Sequence, residues 1–330
     1  MAILNTIEAV QRNGYINSNF DYWQRGTSFT NPASNSYTAD RWAIGGSPSG
    51  TYVVSRAAFG QQIEVPNNPK YYMRLQATSL ASPRDLRQNI EGVGSYANET
   101  VTVSFWGRVA SGTYTATAGV GFFQNFGTGG SPSGQVSPTG QNITLTSTWT
   151  KYSFTFSIPS IVGKTLGTNN NDYISFYVNT PGTGTFDAHF AQFMINEGAQ
   201  TQSWNLAGIN QQGELAMCQR YYEKSYDVDA ALGTNTAVGI ATGATIAGLT
   251  TRISMLNSTF KIPKRAAPTT TVIYAEDGTV GSVSDYSNST TKVASAPNSP
   301  GTVNLGRFLS GTGYSASLYY VFHWTVDSEL

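Results

Sequence analysis

Hydrophobic and polar residues alternate with period two through much of the span from about residue 15 to 200. In "VTVSFWGRVA", Val101, Val103, Phe105 and Val109 share one face, and Thr102, Ser104, Trp106 and Arg108 share the other. "KYSFTFSIP" sets Tyr152, Phe154, Phe156 and Ile158 against Lys151, Ser153, Thr155 and Ser157. "DYISFYVN" sets Ile174, Phe176 and Val178 against Tyr173, Ser175 and Tyr177, and "FDAHFAQFMINEG" predicts one more strand that stops at a glycine. Successive side chains on a strand point to opposite faces, so this pattern is that of half-buried strands. The loops between them, 127–140 and 167–172, are rich in Gly, Ser, Thr and Asn, and no helical period intervenes. Such spacing predicts a sandwich or jelly roll.

Two segments break the pattern. Ile3, Ile7 and Val10 recur at spacings of four and three, which predicts a short docking or oligomer segment over residues 1–14. "ELAMCQRYYEKSY" (214–226) predicts a helix with Leu215, Cys218 and Tyr222 on one stripe, after a polar linker over 201–213. An apolar stripe left on the surface would call for a second chain to cover it. The remainder returns to β, with Asp277-Gly278 as a hairpin turn and 284–301 as a long polar loop. "SLYYVFHWTV" sets Leu318, Tyr320, Phe322, Trp324 and Val326 inward against Tyr319, Val321, His323 and Thr325. The expected fold class is all-β: a jelly-roll sandwich over 15–200, then a helix and a smaller C-terminal β-sandwich over 214–330.

Composition narrows the function. Charged residues are 12% of the chain, about half the roughly 25% usual in soluble proteins, with 19 basic and 19 acidic. That balance lacks the clustered basic excess that nucleic acid requires. Aromatics are abundant instead, with 19 Tyr, 16 Phe and 6 Trp. The single cysteine, Cys218, cannot form an intrachain disulfide, so stability is expected from burial or oligomerisation. No apolar run approaches the roughly 20 residues of a membrane span, and "MAILNTIEAVQRNG" lacks the pattern of a secretory signal. No membrane insertion and no Sec-type export are expected.

Catalytic groups are scarce. The two histidines, His189 and His323, sit inside strand patterns that suit structural roles. No serine stands in a G-x-S-x-G elbow, and the ligand inventory is too thin for zinc. The carboxylate pairs Asp227/Asp229 and Glu276/Asp277 lack an aromatic cleft around them, so no catalytic residues and no cofactor are assigned. Asp187 in "FDAHF", which resembles the last strand of many carbohydrate-binding jelly rolls, is the candidate ligand for a structural calcium. One carboxylate fills only part of the about six to eight oxygen positions calcium takes, so backbone carbonyls would have to contribute.

"NFDYWQRGTSFT" followed by "YTADRW" packs Trp23, Arg25, Asp40, Arg41 and Trp42 into a short polar stretch. Buried charges must be compensated, so the expectation is a core knot with both indoles inside and Asp40 paired with an arginine. Outward-facing aromatics suit a ligand better. Alternation puts Trp106, Arg108, Tyr173 and Tyr177 away from the core, where flat rings could stack on pyranose C–H faces. The same face would equally serve as a packing surface for a second subunit.

Four blocks, "NFDYWQRGTSF" with "YTADRW", "FMINEGAQTQSW", "ELAMCQRYYEKSY" and "FHWTVDSEL", together resemble a group of tailed-bacteriophage tail-fibre or receptor-binding virion proteins with a carbohydrate-binding-like jelly roll. The blocks follow one another in the same order as in that group and span nearly the whole chain. The resemblance implies a non-enzymatic virion protein, often a homotrimer, assembled in the host cytoplasm with other virion proteins and contacting a bacterial surface polysaccharide. A decoration or connector protein of the head, baseplate or tail is the alternative, and a polysaccharide depolymerase a third.

Overall fold

The computed structural model describes residues 11–47, 50–61, 64–245, 250–256, 259–286, 290–297, 299–314 and 319–330. The stripe expected from Ile3, Ile7 and Val10 lies outside the described residues. Two six-stranded antiparallel sheets face each other. In spatial order the first holds Ser28–Thr30, Gly50–Ala58, Tyr71–Leu80, Gly184–Glu197, Thr100–Gly112 and Thr150–Ser157. The second holds Ser36–Tyr37, Trp42–Gly45, Asp85–Glu91, Tyr173–Asn179, Thr115–Asn125 and Gln141–Thr144. From Asp85 onward the chain passes repeatedly between the sheets, which is jelly-roll connectivity.

The aliphatic and phenylalanine positions that alternation turned inward fill the space between the sheets. Val101, Val103, Phe105, Ile174, Phe176 and Val178 are all fully buried. Each such side chain contributes about 1.5–3 kcal/mol when removed from water. Alternation is interrupted at Gln192, whose φ is 52° and where the pairing with Thr100–Gly112 shifts register. This bulge lets Phe190, Phe193 and Ile195 all face the core, and Phe193 stacks on Phe105 with centroids 4.7 Å apart.

Residues 222–327 supply a third antiparallel sheet of eight strands. Tyr319–Asp327 pairs on one side with Tyr222–Lys224 and Ala241–Thr245 and on the other with Thr270–Tyr274 and Ser282–Asp285. The last of these pairings brings the ladder back to its starting strand, so the sheet closes on itself where a second sandwich was expected. Closure removes edges, and it also buries His323 and Thr325 alongside the expected Tyr320, Phe322, Trp324 and Val326; Leu318 lies outside the described residues. The Asp277-Gly278 turn forms, but Thr270–Tyr274 and the chain after it share only the Tyr274–Val280 bridge. Strand Thr290–Pro297 occupies the stretch expected as a loop.

The expected helix is shorter and earlier, at Gln211–Gln219. Asn210 caps it, accepting from the Gly213 amide at 2.9 Å. It stops because Tyr222–Lys224 is drawn into the third sheet, where ladder bonds to Val326 and its neighbours outweigh helix propensity. Cys218 and Tyr222 are thereby buried within the chain and Leu215 is half-buried, so most of that stripe is covered without a second subunit. The polar stretch before the helix is pinned to the sandwich, with the Trp204 indole N–H donating to Ser18 Oγ at 3.1 Å and Asn205 Oδ1 accepting from the Asn13 amide at 2.9 Å.

Candidate functional site

The outer face of the second sheet gathers the most promising binding chemistry. Tyr173–Asn179 runs between Asp85–Glu91 and Thr115–Asn125, with Tyr177 opposite both Arg87 and Gly121 and Ser175 opposite both Asn89 and Phe123. A Cβ at Gly121 would lie 2.4 Å from the Tyr177 phenolic oxygen, so the ring lies across the sheet over the glycine and a larger residue there would displace it. Phe123 stands beside it at 6.3 Å with an interplanar angle of 28°, and Tyr173 meets Phe123 edge-on at 6.0 Å. The Arg87 guanidinium lies 6.0 Å from the Phe123 centroid and 3.5 Å from Asp85, and also donates to Asn35.

Two shallow cavities, of about 200 and 180 Å³, adjoin one another here and share Arg87 and Phe123. The first is flanked by Asn35, Asn89, Gln135 and Tyr173, the second by Asp85, Tyr177 and Asn179. Two buried polar atoms of these strands have no hydrogen-bond partner, Asn89 Oδ1 at the first cavity and Ser175 Oγ beneath the rings, while Asp85 Oδ1 has only the 3.5 Å ion-pair contact to Arg87 Nε. An unpaired buried acceptor costs about 1–3 kcal/mol, and a ligand hydroxyl would relieve that cost. Burial pushes the Asp85 carboxyl above its ordinary range, against the opposing charges of Arg87 and Arg84. Burial likewise raises Tyr173 and Tyr177.

The structure does not bring Trp106 and Arg108 to Tyr173 and Tyr177. Thr100–Gly112 belongs to the first sheet and Tyr173–Asn179 to the second, so their outer faces point away from each other across the sandwich. Period two fixes which residues leave the core, but not which sheet carries the strand. Trp106 packs against a satellite cluster of Val65, Trp149 and Ala191, and Trp149 in turn meets Phe59 at 5.2 Å and Tyr72 at 5.7 Å. The rings on this face therefore cover one another. Arg108 lies 5.2 Å from the Trp149 centroid, and its Nε donates to His189 Nδ1 at 3.1 Å.

His189 Nε2 is 3.0 Å from Asp187, whose two oxygens accept from Arg74 Nε and Nη2 at 2.8 and 2.6 Å. Burial alone would raise Asp187, but the Arg74 hydrogen bonds, the charge of Arg74 and the interactions with His189 together outweigh it and hold the carboxyl below its usual value. This fork-on-fork pair stands where a calcium ligand was expected, and among the described residues no three His, Cys, Asp or Glu side chains converge to hold a metal. Burial, aided by the charge of Arg108 and opposed by Asp187, lowers His189 to about 4 from 6.5. The ring is neutral when folded, and the unfolded chain binds its proton more readily. The contribution of His189 to stability is accordingly lost as pH falls from 6.5 towards about 4. Urea midpoints measured between pH 7 and 4 should fall more steeply for the wild type than for His189→Gln; parallel profiles would contradict this.

The other histidine is equally engaged. His323 Nδ1 meets Ser225 Oγ at 3.0 Å, Nε2 meets the Thr236 carbonyl at 2.8 Å, and the ring stacks on Tyr226 at 3.7 Å. The Cys218 thiol is buried, which raises its pKa.

The Trp/Arg/Asp stretch near the start of the chain forms a seam. Trp42 is fully buried and Trp23 nearly so, with indole N–H groups donating to the Asn17 and Phe20 carbonyls. Asp40 accepts from the Gln24 amide at 3.0 Å and from Gln24 Nε2 at 2.7 Å, while Arg25 stands 3.9 Å away. Both arginines reach out of the sandwich. Arg25 pairs with Asp327 at 2.8 Å and Glu329 at 3.2 Å and lies 3.8 Å over the Tyr222 ring. Arg41, held at φ 71°, pairs with Glu329 and lies 3.4 Å over Tyr221. Residues from "DYWQRG", "ADRW", "QRYYEK" and "TVDSEL" thus meet where the sandwich adjoins the third sheet.

Asp85, Arg87, Asn89 and Phe123 were missed from sequence, although "DLRQNIE" and "GFFQN" carry a usable signal. Leu86 and Phe122 are core residues, which turns Asp85, Arg87 and Phe123 outward by the same alternation that exposed Tyr177. No known family model matches the chain, and no curated protein matches it. Several solved structures are distantly similar to it. The carbohydrate-binding module TmCBM61 in complex with β-1,4-galactotriose is 14% identical, covering 57% of this chain and 100% of the module, with a TM-score of 0.33. The CBM22-1 xylan-binding domain from Paenibacillus barcinonensis is 12% identical, over 58% of this chain and 99% of that one, with a TM-score of 0.32. The enzymatically active domain of bacteriophage CBA120 tailspike protein 4 is 13% identical, over 52% of this chain and 21% of that one, with a TM-score of 0.33. Similarity at this level carries no argument.

Proposed function

We propose that this chain is a non-catalytic virion protein of tail-fibre or receptor-binding type that binds a bacterial surface glycan on the outer face of its second sheet. The observation that carries the reading is the Tyr177 ring laid over Gly121 beside Phe123, bordered by the Asp85 carboxylate and by Asn89 Oδ1, a buried acceptor without a hydrogen-bond partner. A pyranose offers what such a face lacks, an apolar C–H surface for the ring and hydroxyl donors for the acceptors. The resemblance of the four sequence blocks to tail-fibre proteins supports the virion setting and a homotrimer. Exposed Val280, Tyr286 and Tyr319 on the third sheet are the candidate contacts to neighbouring chains or other virion proteins. Native mass spectrometry returning three 35.4 kDa chains would support the trimer, and a monomer would count against it.

An array of polysaccharides from candidate hosts tests the binding reading. The wild type should bind at least one glycan, and Phe123→Ala with Tyr177→Ala should weaken that binding about tenfold or more, as loss of more than about 1.4 kcal/mol implies. Thermal stability should shift by no more than about a kcal/mol, as for surface changes. Trp106→Ala should leave binding intact. Undiminished binding by the double variant would remove this face from the proposal. Release of reducing ends from the bound polysaccharide would make the protein a depolymerase.

A further inference from the structure

A cleft of about 510 Å³ opens where the sandwich meets the segment leading into the helix. One wall is polar. Phe20, at φ 58°, turns into the core, while its neighbours Asn19 and Asp21 line the cleft. Asn19 Nδ2 approaches both Asp21 oxygens at 3.5 and 3.3 Å, and Gln211 Nε2, in the first turn of the helix, donates to Asp21 Oδ2 at 3.1 Å. Asn19 is only 6% exposed, and its Oδ1 has no partner. Rings contribute as well. Tyr71 lines the cleft, and so does Trp204, whose polar edge is anchored by its bond to Ser18. The remaining charges in the lining are Lys70 and Asp229, and Asp229 is paired with Arg56 at 3.5 Å, so two carboxylates face two cations.

We propose that this cleft is a second binding site, separate from the sheet face, for a single neutral pyranose residue. A buried amide carbonyl without a donor calls for a hydroxyl. The Asp21 carboxylate, already receiving N–H groups from two side chains, keeps lone pairs for a neighbouring hydroxyl of the same ring. Trp204 offers an apolar face for the sugar's C–H surface, while the Tyr71 ring is taken up by Arg56 at 4.4 Å and Lys70 at 4.9 Å. With its carboxylates and cations balanced, the cleft offers no surplus cation to pair with an acidic sugar. Burial raises the Asp21 carboxyl, and the hydrogen bonds from Gln211 and Asn19 oppose that rise.

The test uses the full chain carrying Phe123→Ala and Tyr177→Ala, so that the sheet face is disabled. Saturation-transfer NMR is recorded with methyl glycosides of glucose, galactose and N-acetylglucosamine, and with sialic acid. At least one neutral glycoside should show transfer, and its dissociation constant should rise about tenfold on adding Asn19→Leu. Should that variant fail to fold, Gln211→Ala, which alters an exposed side chain, is read in its place. Absence of transfer from all three glycosides overturns the proposal, as does binding that neither substitution weakens. Stronger transfer from sialic acid than from any neutral glycoside overturns the assignment of ligand class. Because the sheet face is already removed, a signal here stands whether or not the host-glycan array succeeds.

Discussion

Trp42→Ala is expected to lower stability by roughly 3–5 kcal/mol, the range for truncating a large aromatic in a core. The indole is fully buried and touches three other rings, with centroids at 4.8 Å for Phe193, 5.2 Å for Phe20 and 5.8 Å for Tyr15. These rings come from the N-terminal segment and the strand Gly184–Glu197, so the cavity left behind is bordered by elements that cannot collapse without breaking their own pairing. The indole N–H also donates to the Asn17 carbonyl at 3.0 Å, and truncation removes this bond, leaving that carbonyl with the Phe20 amide alone. Trp42→Phe keeps most of the ring contact and should cost less. Urea unfolding followed by circular dichroism reads both variants, and a Trp42→Ala midpoint equal to that of the wild type would refute the core assignment.

The second large effect lies at the seam. Arg41→Ala should cost about 3 kcal/mol, the lower end for removing one partner of a buried ion pair. Its guanidinium is 1% exposed, pairs with Glu329, donates to the Asn89 carbonyl at 2.5 Å and stacks on Tyr221. Glu329 keeps a contact to Arg25 at 3.2 Å, which places the loss at the lower end of the range. The sandwich and the third sheet share this contact, so weakening it should separate their unfolding into two calorimetric transitions where the wild type shows more overlap. Glu329→Gln retains an acceptor for both arginines and should lie between wild type and Arg41→Ala. A single transition at the wild-type temperature for Arg41→Ala would show that the seam contributes little.

How much of this was legible in the chain varies by residue. Alternation alone placed Val101, Val103, Phe105, Ile174, Phe176 and Val178 inside and Tyr173 and Tyr177 on the outside, because side-chain direction along a strand is a local property. The same rule turns Phe123 in "GFFQN" and Arg87 in "DLRQNIE" outward. The density of Trp, Arg and Asp near the start of the chain signalled compensation of buried charge, yet the main acid partners sit at residues 327 and 329, about 300 positions away. No local pattern encodes such a pairing.

By itself the sequence determined the all-β character, the inward set of each well-patterned strand, and the lack of a basic excess for nucleic acid. Only the tertiary structure decided which strands are neighbours. Trp106 and Tyr177 are equally outward by pattern, but the crossings of the chain put them on opposite sides of the sandwich. The helix ended at Gln219 because Tyr222 found a ladder partner in Asp327, and the third sheet closed because Ser284 paired with Val321. Each of these outcomes depends on hydrogen bonds between residues far apart in the chain, whose free energy exceeds the local preferences that a sequence displays.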